Sequence, residues 1–250
     1  HYTNADGLFG IIKDNAFHLT QRNFMNDAFE QAYSKRVLRK VLNSVYGKER
    51  ARIEYTAVED IFLKDNEDYV LSVSSEKDSI HQWNYYGKKD GYAIGISYGD
   101  LFNCVKKRYN SFAIGYVLYK ESLQEEIIKM LISLMEEPDK TYESDGTRSH
   151  WLDAGLSIKS YTGLFKQINH LCENEFRFIV HDENVAKEFK PRNGIITPYK
   201  PLIFEQRIPI KSIIIGPRVE YKIAKNGIQQ LFQKHGIENV KVEPSKIKIR

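Results

Sequence analysis

The 250-residue sequence has no apolar run that approaches the ~20 residues needed for a membrane-spanning helix. No secretory signal peptide is visible, and because the chain starts at His1 without a methionine we expect further residues upstream. Only two cysteines are present, and neither Cys104 nor Cys172 has neighbours at metal-ligand spacing. Such sparing use of cysteine is typical of a reducing cytoplasm. The sequence therefore predicts a cytoplasmic protein with no membrane partner and no metal.

Several familiar catalytic motifs are also missing. There is no P-loop, no glycine-rich dinucleotide fingerprint, no nucleophile elbow of the Gly-x-Ser-x-Gly type and no zinc helix of the His-Glu-x-x-His type. Cys172 directly precedes a pair of glutamates, but we interpret it as a buried structural cysteine. The chemistry of the chain must therefore be sought in its carboxylates, aromatic residues and histidines.

The composition is that of a water-soluble globular protein, with 42% apolar and 28% charged residues. A net charge of +4 permits a nucleic-acid partner without requiring one. The segment from Ser34 to Arg52 is rich in Lys and Arg and lies largely on a predicted helix. This basic helix weakly favours RNA or DNA as the partner; the alternative interpretation is a solvated helix face. No repeat or linker is visible, so we predict one α+β domain over residues 1–250.

Hydrophobic periodicity and turn residues predict alternating helices and strands. His1-Tyr2-Thr3 is interpreted as the end of a first strand that begins upstream. Predicted helices cover 7–13, 28–45, 80–86, 123–135, 149–171 and 221–235, with an interruption of the helix at 149–171 at Gly155 or Gly163 as the alternative. Predicted strands cover 16–20, 69–74, 92–97, 112–119, 173–181, 210–215, 240–242 and 247–250.

The predicted strand at 173–181 carries an unusual set of charges. Side chains alternate along a strand, so Glu173, Glu175 and Arg177 are expected on one face and Phe176 on the other. Two carboxylates about 7 Å apart at Cα repel each other, and folding alone does not require that arrangement. The segment therefore suggests a functional site, with a solvated face and a cross-strand ion pair as the alternative.

Histidine, tyrosine and glutamate follow one another on separate predicted strands or strand ends, and this order resembles a known enzyme class. It is similar to the diphtheria-toxin and poly(ADP-ribose)-polymerase branch of ADP-ribosyltransferases. The chain more closely resembles a bacterial domain family of unknown function with the same triad. The segments that carry this resemblance are His1-Tyr2-Thr3, Asn26-Asp27-Ala28-Phe29-Glu30, Trp83 to Tyr86 with Gly91, Glu173 to Arg177, and Ile214-Ile215-Gly216-Pro217. His170 stands where the family tends to have a tryptophan.

The resemblance implies a fold of mixed β-sheets that form a central cleft, with inserted and flanking helices. It also implies NAD as co-substrate and a catalytic set of Glu175, Glu173, Tyr86 and His1. Glu175 would stabilise the oxocarbenium-like transition state at the ribose, and Glu173 would act on the acceptor. Tyr86, or alternatively Tyr85, would stack on nicotinamide. The remaining residues implied to bind NAD are Tyr2, Thr3, Asn26, Asp27, Trp83 and Arg177.

The resemblance further implies a bacterial toxin or phage-defence effector that modifies a macromolecule, with RNA favoured over protein as acceptor. A related system is held inactive by an antitoxin and a chaperone, so these are expected as partner classes. Structural alternatives remain for two of the segments. Trp83 and Tyr86 have the spacing of core residues on a helix, and Asn26-Asp27 is first a helix cap. A non-catalytic binding module and an NAD glycohydrolase are the alternative functions.

Overall fold

The computed structural model describes residues 1–25, 29–59, 68–87, 90–136, 146–181, 185–192 and 194–248, with the backbone alone for 146–152. The helices are α1 (Ala5–Asp14), α2 (Glu30–Tyr46), α3 (Lys48–Val58), α4 (Ile80–Gln82), α5 (Tyr98–Arg108), α6 (Glu121–Glu136), α7 (Gly146–Thr162) and α8 (Tyr221–His235). The strands are β1 (Tyr2–Thr3), β2 (Ala16–Gln21), β3 (Tyr69–Ser74), β4 (Tyr92–Ile96), β5 (Phe112–Tyr116), β6 (Glu175–Val180), β7 (Glu188–Arg192), β8 (Ile195–Ile203), β9 (Ile210–Ile215) and β10 (Lys241–Pro244). The α+β class predicted from the sequence is confirmed.

Local capping chemistry sets the ends of the helices. Asn4 precedes α1, and its side-chain oxygen accepts from the amide of Gly7 at 2.9 Å. Asn15 ends the same helix in the left-handed region, with φ of 51°. Glu220 caps α8 by accepting from Ile223 N at 2.7 Å, and Gly236 ends it with φ of 63°. The predicted ends of both helices therefore agree with the structure to within two residues.

Some predicted elements differ from the structure. Helices α3 and α5 and the hairpin of β7 and β8 were not predicted. The predicted helix at 149–171 ends at Thr162, directly before Gly163, which is one of the two alternative interruption points, and a 3-10 segment follows at Ile168–Glu173. The predicted strand at 112–119 ends at Tyr116, and residues 247–248 of the predicted last strand are in no strand.

Backbone contacts group the chain into two compact units, each made of several segments. Unit 1 contains residues 1–21, 69–114 and 172–250, and unit 2 contains residues 22–68 and 115–171. The single domain expected from the sequence stays a prediction.

Unit 1 carries two β-sheets, apart from the last two residues of β5. The four-stranded sheet has the order β1-β4-β9-β10, in which β9 and β10 run parallel. The six-stranded sheet has the order β5-β6-β3-β2-β8-β7. Apolar side chains of both sheets meet in one core, which includes Phe17, Leu71, Ile94, Phe178 and Ile213. The aromatic face predicted for β6 is confirmed, because Phe176 and Phe178 pack in or against this core.

Unit 2 is built around four helices, α2, α3, α6 and α7. Its core includes Leu38 and Leu42 of α2, Tyr55 of α3, Ile132 of α6 and Ile158 of α7. The amphipathic pattern of α2 accounts for its place here, since its buried residues recur at helical spacing. None of the helices in the described ranges is long and apolar enough to cross a membrane.

Strands β2 and β3 separate part of the way along their length. Their ladder pairs Thr20 with Val70 and Gln21 with Tyr69, whereas β2 stays paired with β8 from Ala16 to Thr20. Beyond Val70, strand β3 remains paired with β6 as far as Ser74. The six-stranded sheet therefore opens between β2 and β3, and the first residues of the chain lie at this opening.

Candidate functional site

Glu175 and Arg177 form a buried ion pair at the start of β6. Arg177 donates from Nε to Glu175 Oε1 at 2.8 Å and from its terminal nitrogen to Oε2 at 3.0 Å. Glu175 is 5% exposed and Arg177 is fully buried. This two-pronged geometry offsets part of the cost of burying both charges, and it fixes the plane of the carboxylate.

Glu173 is not on the strand, which corrects the prediction of a strand from 173 to 181. It ends the 3-10 segment, and Asn174 follows in the left-handed region with φ of 44° before β6 begins at Glu175. Two side chains hold the backbone at this bend. Gln82 Nε2 donates to the carbonyl oxygen of Glu173 at 2.7 Å, and Ser74 Oγ donates to the same oxygen at 3.0 Å.

Tyr86 lies near both glutamates. Its hydroxyl donates to Glu173 Oε2 at 3.3 Å. Burial raises the pKa of Tyr86 well above its usual value, and the negative charges of Glu173 and Glu175 raise it further. The hydroxyl therefore stays protonated and acts as a donor at neutral pH. Although Glu173 lies outside the strand, both carboxylates still act on the same phenol.

His1 lies at the opening between β2 and β3. Its backbone pairs with Ile94 of β4, and its Nδ1 is 2.9 Å from the carbonyl oxygen of Ser72 on β3. Ser72 stands opposite Arg177 in the ladder between β3 and β6. The ring of His1 also contacts Phe17 of β2 edge-on at 5.4 Å. The structure thus brings His1 next to the strand pair that carries Glu175 and Arg177.

Four of the sequence-predicted residues support or flank this group. Tyr2 is buried, and its hydroxyl donates to the carbonyl oxygen of Glu76 at 2.7 Å. Thr3 pairs with Tyr92 of β4. Trp83 is 1% exposed and packs against Tyr2, so its position is that of a core residue. Tyr85 is 65% exposed and points away from the core, which leaves Tyr86 as the tyrosine beside the glutamates. Asn26 and Asp27 lie outside the described residues.

Trp83 is held in place by glycines and by Asp78. Its indole Nε1 donates to Asp78 Oδ1 at 2.7 Å. A Cβ at Gly87 would lie 2.8 Å from the indole ring, and a Cβ at Gly216 would lie 3.1 Å from it and 2.7 Å from the carbonyl oxygen of Gly91. Two segments of the resemblance, Trp83 to Gly91 and the Ile-Gly-Pro turn, therefore meet at one packing contact.

The structure corrects one further expectation, because Cys172 is exposed rather than buried. The basic segment from Ser34 to Arg52 is largely neutralised, because its cations pair with carboxylates of unit 2 and so lend little support to nucleic-acid binding. These pairs are Lys35 and Arg39 with Glu59, Arg36 with Glu121, Lys40 with Glu121 and Glu125, and Arg50 with Glu54 and Glu136.

Sequence reasoning missed Gln82, Ser74 and Arg192. The first two hold the bend at Glu173, and Arg192 lies near enough to Tyr86 for the charge of an ionised phenol to raise the pKa of the guanidinium. Gln82 directly precedes Trp83, but no pattern assigns a partner to it. Asn193-Gly194 between β-formers is a strong hairpin signal, so the hairpin that carries Arg192 could have been predicted from the sequence. Among the described residues, no group of three His, Cys, Asp or Glu side chains could hold a metal ion.

Comparison with protein families finds one similarity. The model of a family described as a protein of unknown function, DUF2971, matches residues 82–178. This stretch is less than half of the chain; it includes Tyr86, Glu173 and Glu175 and leaves out His1. The chain is thus similar to that family over its central part, and the description names no activity. Comparisons with curated proteins and with solved structures found no match.

Proposed function

We propose that this protein is an NAD-dependent ADP-ribosyltransferase that modifies a macromolecule. The observation that supports the proposal is the convergence of Tyr86, Glu173 and Glu175, with the ring of His1 held on the neighbouring strand. These residues come from three distant parts of the sequence. They are the set implied by the resemblance to the His-Tyr-Glu enzymes.

The reaction breaks the bond between C1′ of the ribose and the nicotinamide nitrogen. Nicotinamide leaves with the bonding electron pair, and positive charge develops on the ribose. Glu175 stabilises this charge as a fixed carboxylate that needs no reorientation. An acceptor atom then bonds to C1′ and gives up its proton, and Glu173 is the base for that proton.

Arg177 acts through Glu175 and is a positioning residue. Each carboxylate oxygen has a second lone pair, so an oxygen that accepts from Arg177 can still accept from a ribose hydroxyl. The bidentate pair holds both oxygens in one orientation, with distances of 2.8 and 3.0 Å. Tyr86 supplies a flat ring for nicotinamide, and its hydroxyl fixes Glu173.

The proposal also names the class of molecule that accepts ADP-ribose. RNA is favoured over protein because of the resemblance to a messenger-RNA-modifying toxin system, which also implies an antitoxin and a chaperone as partners. The cations from Ser34 to Arg52 no longer support this preference, since their charges are paired within unit 2.

The test is transfer of label from NAD to cell RNA and to cell protein by the wild type and by Glu175→Gln. We expect the wild type to label one acceptor and Glu175→Gln to lower the rate about a hundredfold or more. Glu205→Gln is the matched control, because Glu205 is an exposed carboxylate in the same unit. Its rate should equal that of the wild type.

Three results would contradict the proposal or its assigned carboxylate. If the wild type releases no nicotinamide with any acceptor present, the protein is not this kind of enzyme. If nicotinamide and free ADP-ribose accumulate without labelled macromolecule, the activity is NAD hydrolysis. Full activity in Glu175→Gln would reject the assigned carboxylate.

A further inference from the structure

Lys190 on β7 lays its side chain over the six-stranded sheet. Strand β8 lies between β7 and β2 in this sheet, yet Nζ of Lys190 lies 3.1 Å from Nδ1 of His18 on β2. The side chain passes over Tyr199 of β8, whose ring centre is 4.9 Å from Nζ. These two neighbours fix the position of the amino group, and Lys190 is half-buried rather than extended into water.

The imidazole of His18 is oriented in turn by two other side chains. Its ring centre is 4.1 Å from that of Tyr199, and its Nε2 is 3.4 Å from Oδ2 of Asp14 at the end of α1. An ammonium group can only donate, so Nδ1 carries the lone pair and the ring proton is on Nε2, facing Asp14. Asp14, His18 and Lys190 therefore form a connected chain of carboxylate, imidazole and amine.

This chain has the arrangement of an activated nucleophile, in which a base lies within hydrogen-bond distance of the nucleophile and a third group orients the base. In a structural ion pair the ammonium would face a carboxylate, which stabilises the charged form. Here the acceptor is an imidazole nitrogen, which stabilises that form less. The side chains of His18 and Asp14 are 14% and 43% exposed, so protons can pass from this chain to solvent.

The electrostatics of the surroundings favour the neutral amine. Burial, followed by the charge of Arg192, lowers the pKa of Lys190 to about 8, and the charge of Asp14 offsets part of this. Burial, followed by the charge of Lys190, lowers the pKa of His18 to about 4, so the imidazole is a neutral base at pH 7. At pH 7.5 roughly a quarter of Lys190 is therefore a free amine, against about 0.1% of an ordinary lysine.

We infer that Lys190 is a site of covalent acylation, at which its amine attacks the carbonyl carbon of a small activated acyl donor. The donor is an acyl phosphate or an acyl thioester. The nitrogen–carbon bond forms, and phosphate or thiolate leaves with the electrons of the bond that breaks. As the amide forms, the nitrogen gives a proton to Nδ1 of His18, which passes it to solvent. The product is a neutral amide, so the positive charge of Lys190 is lost.

The test is incubation of the full chain with limiting acetyl phosphate, or with acetyl-coenzyme A as the thioester, and peptide mass spectrometry of each lysine over time. Lys222 is the internal control, because it is exposed on α8 of the same unit. At pH 7.5 we expect Lys190 to react about tenfold or more faster than Lys222. Its rate should level off above pH 8, whereas the rate of Lys222 should keep rising. The reagent that gives this difference identifies the donor, and equal rates with both reagents overturn the inference.

The role of the imidazole is tested by substitution. His18→Gln should lower the rate at Lys190 about tenfold or more and leave the rate at Lys222 in the same sample unchanged. His81→Gln is the matched control, because His81 is an exposed histidine of the same unit, and both rates should equal those of the wild type. Asp14→Asn keeps the size of the side chain and should lower the rate at Lys190 by a smaller factor.

Circular dichroism checks that each variant keeps the fold, and if His18→Gln does not fold, Asp14→Asn and the pH dependence of the wild type decide the result. An unchanged rate at Lys190 in the folded variants would reject the part assigned to His18 and Asp14. The inference goes beyond the proposed function and does not rest on it, since acylation needs no NAD. Glu175→Gln should be acylated at Lys190 as fast as the wild type even if it transfers nothing, which separates failure of this site from failure of the proposed function.

Discussion

At the scale of single residues, Tyr86 combines two roles in one side chain. Its hydroxyl donates to Glu173, and its ring is the surface we assign to nicotinamide. Because burial and two nearby carboxylates raise its pKa, the phenol does not ionise near neutral pH. The hydroxyl and the ring can therefore be tested separately by substitution.

Replacing Tyr86 with Phe should change the KM for NAD by no more than about twofold, whereas Tyr86→Ala should raise it about tenfold or more, since stacking on an aromatic ring is worth about 1–3 kcal/mol. Steady-state kinetics of the transfer reaction give both values. Circular dichroism of each variant checks that the fold is kept. Equal KM values for the two variants would assign the effect to the hydroxyl and reject the stacking role.

The residues of the site were only partly predictable from the sequence. Alternation along β6 placed Glu175 and Arg177 correctly on one face, opposite Phe176. The alternation rule failed at Glu173, because Asn174 adopts a left-handed conformation. Asn tolerates this conformation, but its presence in a sequence does not predict it. Contacts that join distant segments, such as Gln82 with the carbonyl of Glu173, have no local signal at all.

At the scale of elements, strand β8 shows why prolines in a sequence do not exclude a strand. Pro198 and Pro201 break the usual strand pattern, and no strand was predicted there. In the structure β8 pairs with β7 over Ile195–Tyr199 and with β2 over Tyr199–Ile203. Each proline therefore lies where β8 has a neighbouring strand on one side only. A proline is tolerated there because its missing N–H need not remove a hydrogen bond of the sheet.

The packing of the Ile-Gly-Pro turn on Trp83 makes a prediction about stability. Gly216→Ala would place a Cβ 2.7 Å from the carbonyl oxygen of Gly91 and 3.1 Å from the indole ring, so the backbone must shift. We expect the free energy of unfolding to fall by about 1–3 kcal/mol in urea titration. Gly10→Ala is the control; nothing lies within 4 Å of its Cβ, and helix propensity should make it slightly more stable. A Gly216→Ala variant as stable as the wild type would mean that this contact is loose.

At the scale of the whole molecule, stability should depend on the protonation of His18. Burial, followed by the charge of Lys190, lowers the pKa of His18 to about 4, and Asp14 offsets part of this. Above pH ~6.5 the imidazole is neutral in both the folded and the unfolded chain. As the pH falls toward 4, the unfolded chain takes up a proton that the folded chain excludes, so stability is lost.

We therefore expect His18→Gln to remove about 2–3 kcal/mol of the loss in unfolding free energy that the wild type shows between pH 7 and pH 4. Urea titrations of both proteins at several pH values in this range measure the difference. Curves that run parallel across the whole range would show that His18 titrates alike in the folded and unfolded chain.

Strand β7 also has a consequence for how molecules of this protein meet one another. It ends the order of the six-stranded sheet, and its exposed Phe189 could attract a second chain to that edge. Pro191 offers no N–H to an incoming strand, and the charges of Lys190 and Arg192 repel a second copy of the same edge. The edge is thus protected against edge-to-edge association at high concentration by the same residues that give it a positive charge.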